Sequence, residues 1–192
     1  MVAHLDMTAP SSWVKRWAHL VPSAQSLLDV ACGAGRHTKL FADKGCRVTA
    51  LDISQEALQK LALHSPNVEV IQADVENMPW PLMQQGAPQT FDAIVVTNYL
   101  HRPLIPLLLA SLADDGVLIY ETFTAGHERF GKPSNPDFLL QPRELLSLCA
   151  DMHIVAYEEG FLLNPDRLVQ RIVATRRTTK MQGSFTYSLS PS

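Results

Sequence analysis

Several features that mark particular protein classes are scarce or missing in this chain. It has three cysteines in 192 residues. Cys32, Cys46 and Cys149 are widely spaced and odd in number, and no Cys-x-x-Cys pair or Cys/His cluster has zinc-ligand spacing. Neither a disulfide framework nor a metal site is expected, and a reduced, cytoplasmic protein is the simplest account. Long apolar runs are also missing. The most apolar stretch, Leu100 to Leu112, is broken by His101, Arg102, Pro103 and Pro106, so it is too short and too interrupted to span a bilayer. The opening MVAHLDMTAPSSW has neither a basic n-region nor an apolar h-region, so no secretory leader is expected. No charge of one sign dominates. The formal net charge is -3, whereas a phosphate backbone usually demands a basic surface, so no nucleic-acid partner is expected. The basic residues Arg167, Arg171, Arg176, Arg177 and Lys180 read as exposed positions on a last strand followed by a frayed basic end.

What is present is an alternation of strand and helix signals in a chain of single-domain length. Ser11 or Ser12 caps a short helix to about Leu20, which Pro22 ends. SLLDVA (26–31), CRVTALD (46–52), VEVIQAD (68–74), FDAIVVTN (91–98) and GVLIYETF (116–123) are apolar strands. Helical stretches stand between several of them: one closed by Gly45, one capped by Ser54, and the apolar LIPLLLASL. ENMPWPLMQQGAPQT is a proline-rich loop. TAGHERFGKPSNPDF reads as a long functional loop. A helix PRELLSLCA follows, then HIVAYEEGFLL and DRLVQRIVATR, an antiparallel pair joined at Asn164-Pro165-Asp166. The expected fold is α/β: a Rossmann-like, doubly wound, mostly parallel sheet with a C-terminal antiparallel hairpin. One domain over 1–177 and a disordered tail over 178–192 are expected.

In such a sheet, ligands bind beyond the C-terminal ends of the strands. DVACGAGRHT follows the first strand, and Gly33 and Gly35 allow a tight turn and close backbone approach. The third glycine of a dinucleotide fingerprint is missing, and Thr38 stands at its place. The second strand ends at Asp52, where a carboxylate accepts both hydroxyls of a ribose, or else caps the next helix. The third ends at Asp74, where a carboxylate accepts from an adenine amino group beside the Val75 amide, or else is a solvated loop residue. Three such features at successive strand ends point to one adenosyl group.

On these residues the sequence resembles the class I S-adenosylmethionine-dependent methyltransferases, over about residues 26–175. LLDVACGAGRHTKLFA is similar to their first motif, except that Ala31 holds the place of the first glycine. VTALDIS, IQADVENMPWP, FDAIVVTNYLHRPL and GVLIYETF resemble the later ones. Among members, the small bacterial enzymes such as the tellurite-resistance methyltransferases look most alike. The resemblance implies S-adenosylmethionine as cofactor and a small-molecule methyl acceptor. It implies a cofactor site drawn from Asp29, Ala31, Gly33, Gly35, His37, Asp52, Ile53, Asp74, Val75, Asn98 and Tyr99, with Trp13 and Arg16 folding over it and Arg16 on its carboxylate. Arg36 and His37 open the helix after the turn, either at the site or as exposed first-turn residues.

Methyl transfer is an in-line displacement that mainly needs alignment, with a base only if the acceptor loses its proton early. His101 is the first base candidate. Glu121 is the second, unless it only pairs with Arg102. Tyr99, Tyr120, Phe123 and Phe130 are candidate acceptor-pocket residues, and the loop Thr124 to Phe138, with His127, Glu128, Arg129 and Lys132, is the candidate gate. No Asn-Pro-Pro-Tyr motif follows the fourth strand, which argues against methylation of DNA bases. Two other readings stay open: a nicotinamide-dependent oxidoreductase, which predicts a third glycine near Thr38 and a substrate domain, and a cofactor-binding module without catalysis.

Overall fold

The structure is a computed structural model and describes residues 9–176 and 187–190. Its core is a seven-stranded sheet in the order β3-β2-β1-β6-β7-β9-β8. The strands are β1 (Ser26–Val30), β2 (Arg47–Asp52), β3 (Val68–Gln72), a small separate pair β4 (Met83–Gln84) and β5 (Ala87–Pro88), then β6 (Phe91–Thr97), β7 (Leu112–Phe123), β8 (His153–Leu162) and β9 (Arg167–Thr175). The first five sheet neighbours run parallel, and β9 enters antiparallel between β7 and β8. The central strands β1, β2 and β6 are buried along nearly their whole length, as expected where both faces are covered.

The helices are α1 (Ser12–Trp17), α2 (Arg36–Asp43), α3 (Gln55–Leu61), α4 (Ile105–Ala110) and α5 (Glu144–Leu148). Ser11 is the cap of α1, its hydroxyl accepting from the Trp13 amide at 3.1 Å. One sheet face packs Trp13, Val14 and Trp17 of α1 and Phe41 of α2 against Leu27, Val48, Val95, Ile119 and Val173. The other packs Leu108 of α4 and Leu145 of α5 against Leu28, Val30, Ile94, Val96, Leu118 and Ile172. Each such side chain contributes about 1.5–3 kcal/mol by leaving water. The sheet and its terminal pair are therefore as the sequence implied.

No α-helix joins β3 to β6. Residues 73–90 form a loop with the β4/β5 hairpin, turned at Gln85 and Gly86, both with positive φ. Pro79, Pro81 and Pro88 remove backbone donors here, and Trp80 and Leu82 enter the core where a helix would otherwise pack. The long loop after β7 is more ordered than its composition suggests. It holds two short 3-10 turns, His127–Arg129 and Pro136–Phe138. The His127 ring stacks on Phe123 at 4.3 Å between centroids. Its Nδ1 accepts from the Leu168 amide, which leaves Nε2 to donate to the Lys132 carbonyl at 3.1 Å.

Most of the tail expected to be disordered lies outside the described residues. Residues 187–190 are described: the Tyr187 hydroxyl is 3.1 Å from Thr175 Oγ1, and His19 Nε2 is 2.8 Å from the Ser188 carbonyl.

Candidate active site

The strand order reverses between β1 and β6, and this switch point is where the loops after β1, β2, β3 and β6 gather. A cleft of about 300 Å³ opens there, at the small end of ligand sites. Its walls are Ala31, Leu51, Asp52, Ile53, Ala73, Asp74, Val75, Glu76, Asn77 and Tyr99. Leu51, Ile53, Ala73 and Val75 are apolar surfaces suited to a flat ring, and three carboxylates, of Asp52, Asp74 and Glu76, stand among them.

The turn after β1 is held to β2 by a carboxylate. Asp52 Oδ2 accepts the Gly33 amide at 2.7 Å, and Oδ1 accepts the Ser54 amide at 2.8 Å. Each oxygen keeps a further lone pair. Ala31, Gly33 and Gly35 all take the left-handed conformation, at φ 52°, 54° and 74°. At Gly35 a Cβ would also lie 2.4 Å from Leu61 Cδ1, so this glycine lets α3 pack against the turn. Asp74 is pinned by the turn it begins, accepting from the Glu76 and Asn77 amides at 3.2 Å and from Asn77 Nδ2 at 2.9 Å. The Asn77 side chain is the first cause holding its carboxyl below the usual range. Asn98, which follows β6, has φ 56°, and its buried Oδ1 has no hydrogen-bond partner among the described residues. Beside it, burial and then the Glu76 carboxylate push the Tyr99 phenol up.

Asp29 lies beneath the turn and is buried. Burial raises its carboxyl to about 7, and the Thr38 hydroxyl donates to it at 2.6 Å. Thr38 thus occupies the place where a dinucleotide fingerprint has its third glycine, and its hydroxyl ties α2 to β1.

Of the twelve cofactor candidates, the cleft wall brings together Ala31, Asp52, Ile53, Asp74, Val75 and Tyr99. Leu51, Ala73, Glu76 and Asn77 were missed, although their adjacency to the two aspartates was the available signal. His37 is elsewhere. It is buried, its Nε2 accepts the Ser11 amide at 3.1 Å, and Nδ1 is 3.4 Å from Thr97 Oγ1. Burial holds it down to about 3, so it is a neutral fastener between α1 and α2. Arg16 turns away to Glu158 at 3.1 Å, and its guanidinium lies over the Trp17 ring at 5.0 Å. Trp13 is core, not a cover.

His101 stands at the cleft's edge, with Nδ1 4.0 Å from Glu76 Oε2. Glu121 is fully buried and does not meet Arg102, which instead makes a two-pronged pair with Glu144 at 2.7 and 2.9 Å. Its partners are the Ser11 hydroxyl at 3.0 Å and Arg171 at 3.4 Å. Arg167 and Arg171 are therefore not exposed strand positions, because their side chains are only 13% accessible. Strand alternation does not reveal which face is buried, and the buried acid that draws these arginines inward lies on a neighbouring strand. Tyr120 and Phe123 are core, Phe130 packs at a tilt against Phe161 at the surface, and Tyr99 alone of the four aromatics lines the cleft.

A glycine turn braced by an acid after β2, a second acid after β3 and a terminal antiparallel strand pair stand on a Rossmann-like sheet that superposes on solved methyltransferases. Residues 27–114 match the family described as "Methyltransferase domain". The chain is 36% identical over 100 residues to a trans-aconitate 2-methyltransferase of Paracidovorax citrulli, covering 50% of this chain and 38% of that protein. Among solved structures, TehB of Haemophilus influenzae superposes with a TM-score of 0.66 at 18% identity, over 86% of this chain and 61% of that one. A Burkholderia thailandensis 1,6-didemethyltoxoflavin-N1-methyltransferase, solved with S-adenosylhomocysteine, superposes at 0.63 and 18% identity, over 90% and 80%. The chain spans about half or less of the length of the curated relatives it matches. No helix among the described residues is long and apolar enough to cross a membrane.

Proposed function

We propose that this chain transfers a methyl group from S-adenosylmethionine to a small-molecule acceptor. The observation that carries the reading is the Asp52 carboxylate, which braces the glycine turn through Gly33 while lining the same cleft as Ala31, Asp74 and Tyr99. Asp52 is placed to accept ribose hydroxyls with the lone pairs it does not spend on backbone amides. Asp74 and the Val75 amide serve the edge of an adenine between Ile53 and Val75. Asn98 brings an orphaned carbonyl to the end of β6, where a sulfonium beside Tyr99 would find it. The cofactor supplies an electrophilic methyl group on a good leaving group, so the chain's contribution is mainly alignment.

Of the two base candidates, His101 is favoured by its place beside Glu76 on the cleft wall. Glu121 is already bound by Ser11 and Arg171. The matched relatives whose names include trans-aconitate and didemethyltoxoflavin support a small acceptor. Three free, buried thiols support a reducing compartment such as the cytoplasm.

The test is incubation with methyl-labelled S-adenosylmethionine and a metabolite extract, followed by chromatography of the small molecules. Label in a discrete small compound is the expected result. Cofactor binding with no labelled compound would favour the binding-module reading instead.

A further inference from the structure

The cleft proposed for the cofactor lies on the flank of the glycine turn that faces β2. The other flank, towards β7 and β9, carries a second constellation. Four guanidiniums and two carboxylates meet there: Arg16, Arg36, Arg167 and Arg171 with Glu121 and Glu158. Both acids are already claimed. Glu121, opposite Arg171 in the β7/β9 register, accepts from Ser11 Oγ at 3.0 Å and Arg171 Nη1 at 3.4 Å. Glu158, opposite Arg171 in the β8/β9 register, accepts from Arg171 Nε at 2.9 Å and Arg16 at 3.1 Å.

Two arginines are incompletely paired. Arg167 opens β9, and its nearest carboxylate oxygen, on Glu121, is 3.9 Å away. Its Nε is buried with no hydrogen-bond partner among the described residues. Arg36 opens α2 immediately after Gly35. It has no carboxylate within ion-pair distance among the described residues, and its Nη1 donates only to the Ala9 carbonyl at 3.4 Å. It is half-buried, and its electrostatic neighbours are Glu121, Arg167 and Asp29.

Guanidiniums drawn out of water without a full set of acceptors are costly unless something negative and planar completes them. A cluster held at net positive charge, with an unfilled Nε at its centre, is built for an anion. It also lies at the C-terminal edge of the sheet, because Thr97 and Glu121 are register partners at the ends of β6 and β7, and Asn98 follows at once. A ligand seated there would lie beside the end of the cleft assigned to the sulfonium.

We propose that the methyl acceptor is a small organic acid whose carboxylate is held by Arg36 and Arg167. This rests on the chain being a methyltransferase, and it names the class of acceptor. A carboxylate has the two-pronged geometry that guanidinium forks match.

The test uses the full chain saturated with S-adenosylhomocysteine, titrated calorimetrically with acetate, succinate and tricarballylate, and with succinamide as the uncharged control. At least one acid is expected to bind and succinamide is not. Arg167→Gln and Arg36→Gln should each weaken the acid by roughly tenfold or more, with S-adenosylhomocysteine affinity changed less than twofold. The Arg36 variant guards against misfolding, since that side chain anchors no core contact. The proposal is overturned if no acid binds the wild type. It is also overturned if the variants weaken S-adenosylhomocysteine but not 5′-methylthioadenosine, which would give the arginines to the cofactor's own carboxylate. Failure of S-adenosylhomocysteine itself to bind would sink the methyltransferase reading first, so the two failures are told apart.

Discussion

Ala31 holds a left-handed backbone at φ 52° that an alanine adopts only at a cost, where the resembling family has glycine. That cost is on the order of 1 kcal/mol. Ala31→Gly should therefore raise the midpoint of thermal unfolding by a few degrees, read by calorimetry. An unchanged or lowered midpoint would show that the turn carries no strain there.

His37 gives a pH signature at the same scale. Its folded pKa is held down to about 3 by burial, against an ordinary value of 6.5. Its neutral form is the one that packs, so its contribution is whole above about pH 6.5 and is lost as pH falls towards 3. Between pH 6.5 and 4 this amounts to about 3 kcal/mol. Asp29 acts in the opposite sense. Its pKa is raised to about 7, so it costs stability as pH rises from 4 to 7. That slope is common to wild type and His37→Gln, so the difference between the two isolates the histidine. The denaturant-derived stability of His37→Gln should fall less on acidification, and parallel pH curves would contradict the assignment. The acids at the strand ends were legible in the sequence because each sits at a fixed offset from an apolar run. His37 and Arg16 were misplaced because a side chain's direction depends on which helix packs over it, and α1 covers α2 through the Ser11 amide.

Among the elements, the strands were readable from their apolar runs, and the terminal pair from its Asn-Pro-Asp turn. The β4/β5 hairpin was not, since two-residue strands leave no periodic signal. One buried side chain of β9, Gln170, ties both ends of the loop after β7 to the sheet. Gln170 is fully buried. Its Nε2 donates to Thr124 Oγ1 at 2.8 Å and to the Gln141 carbonyl at 2.6 Å, while its Oε1 accepts the Leu145 amide at 3.1 Å. Gln170→Leu keeps a similar volume but strands these groups, at about 1–3 kcal/mol for each one left unsatisfied. Hydrogen exchange should show lost protection in residues 124–145, with the β1 and β2 amides unchanged. Uniform protection would mean that the loop is anchored elsewhere.

At the scale of the molecule, one sheet edge carries two sets of residues. Towards β2 and β3 stand acids and apolar walls, and towards β7 and β9 stand arginines with few acids to meet them. The glycine turn and the first residue of α2 divide the two. Sequence order hides this division, because Arg36 and Asp52 are close along the chain while Glu121 and Arg167 come from its second half. Only the antiparallel insertion of β9 beside β7 brings them together.

A single adenosyl group gripped between the turn after β1 and the acids after β2 and β3 is what the proposed function requires most. Isothermal titration of S-adenosylhomocysteine into the wild type and into Asp52→Ala measures this directly. One site per chain is predicted, with affinity falling roughly ten- to a hundredfold in the variant, since two charge-assisted hydrogen bonds and the brace on Gly33 are lost. Equal dissociation constants for the two proteins, or no binding to the wild type, would contradict it.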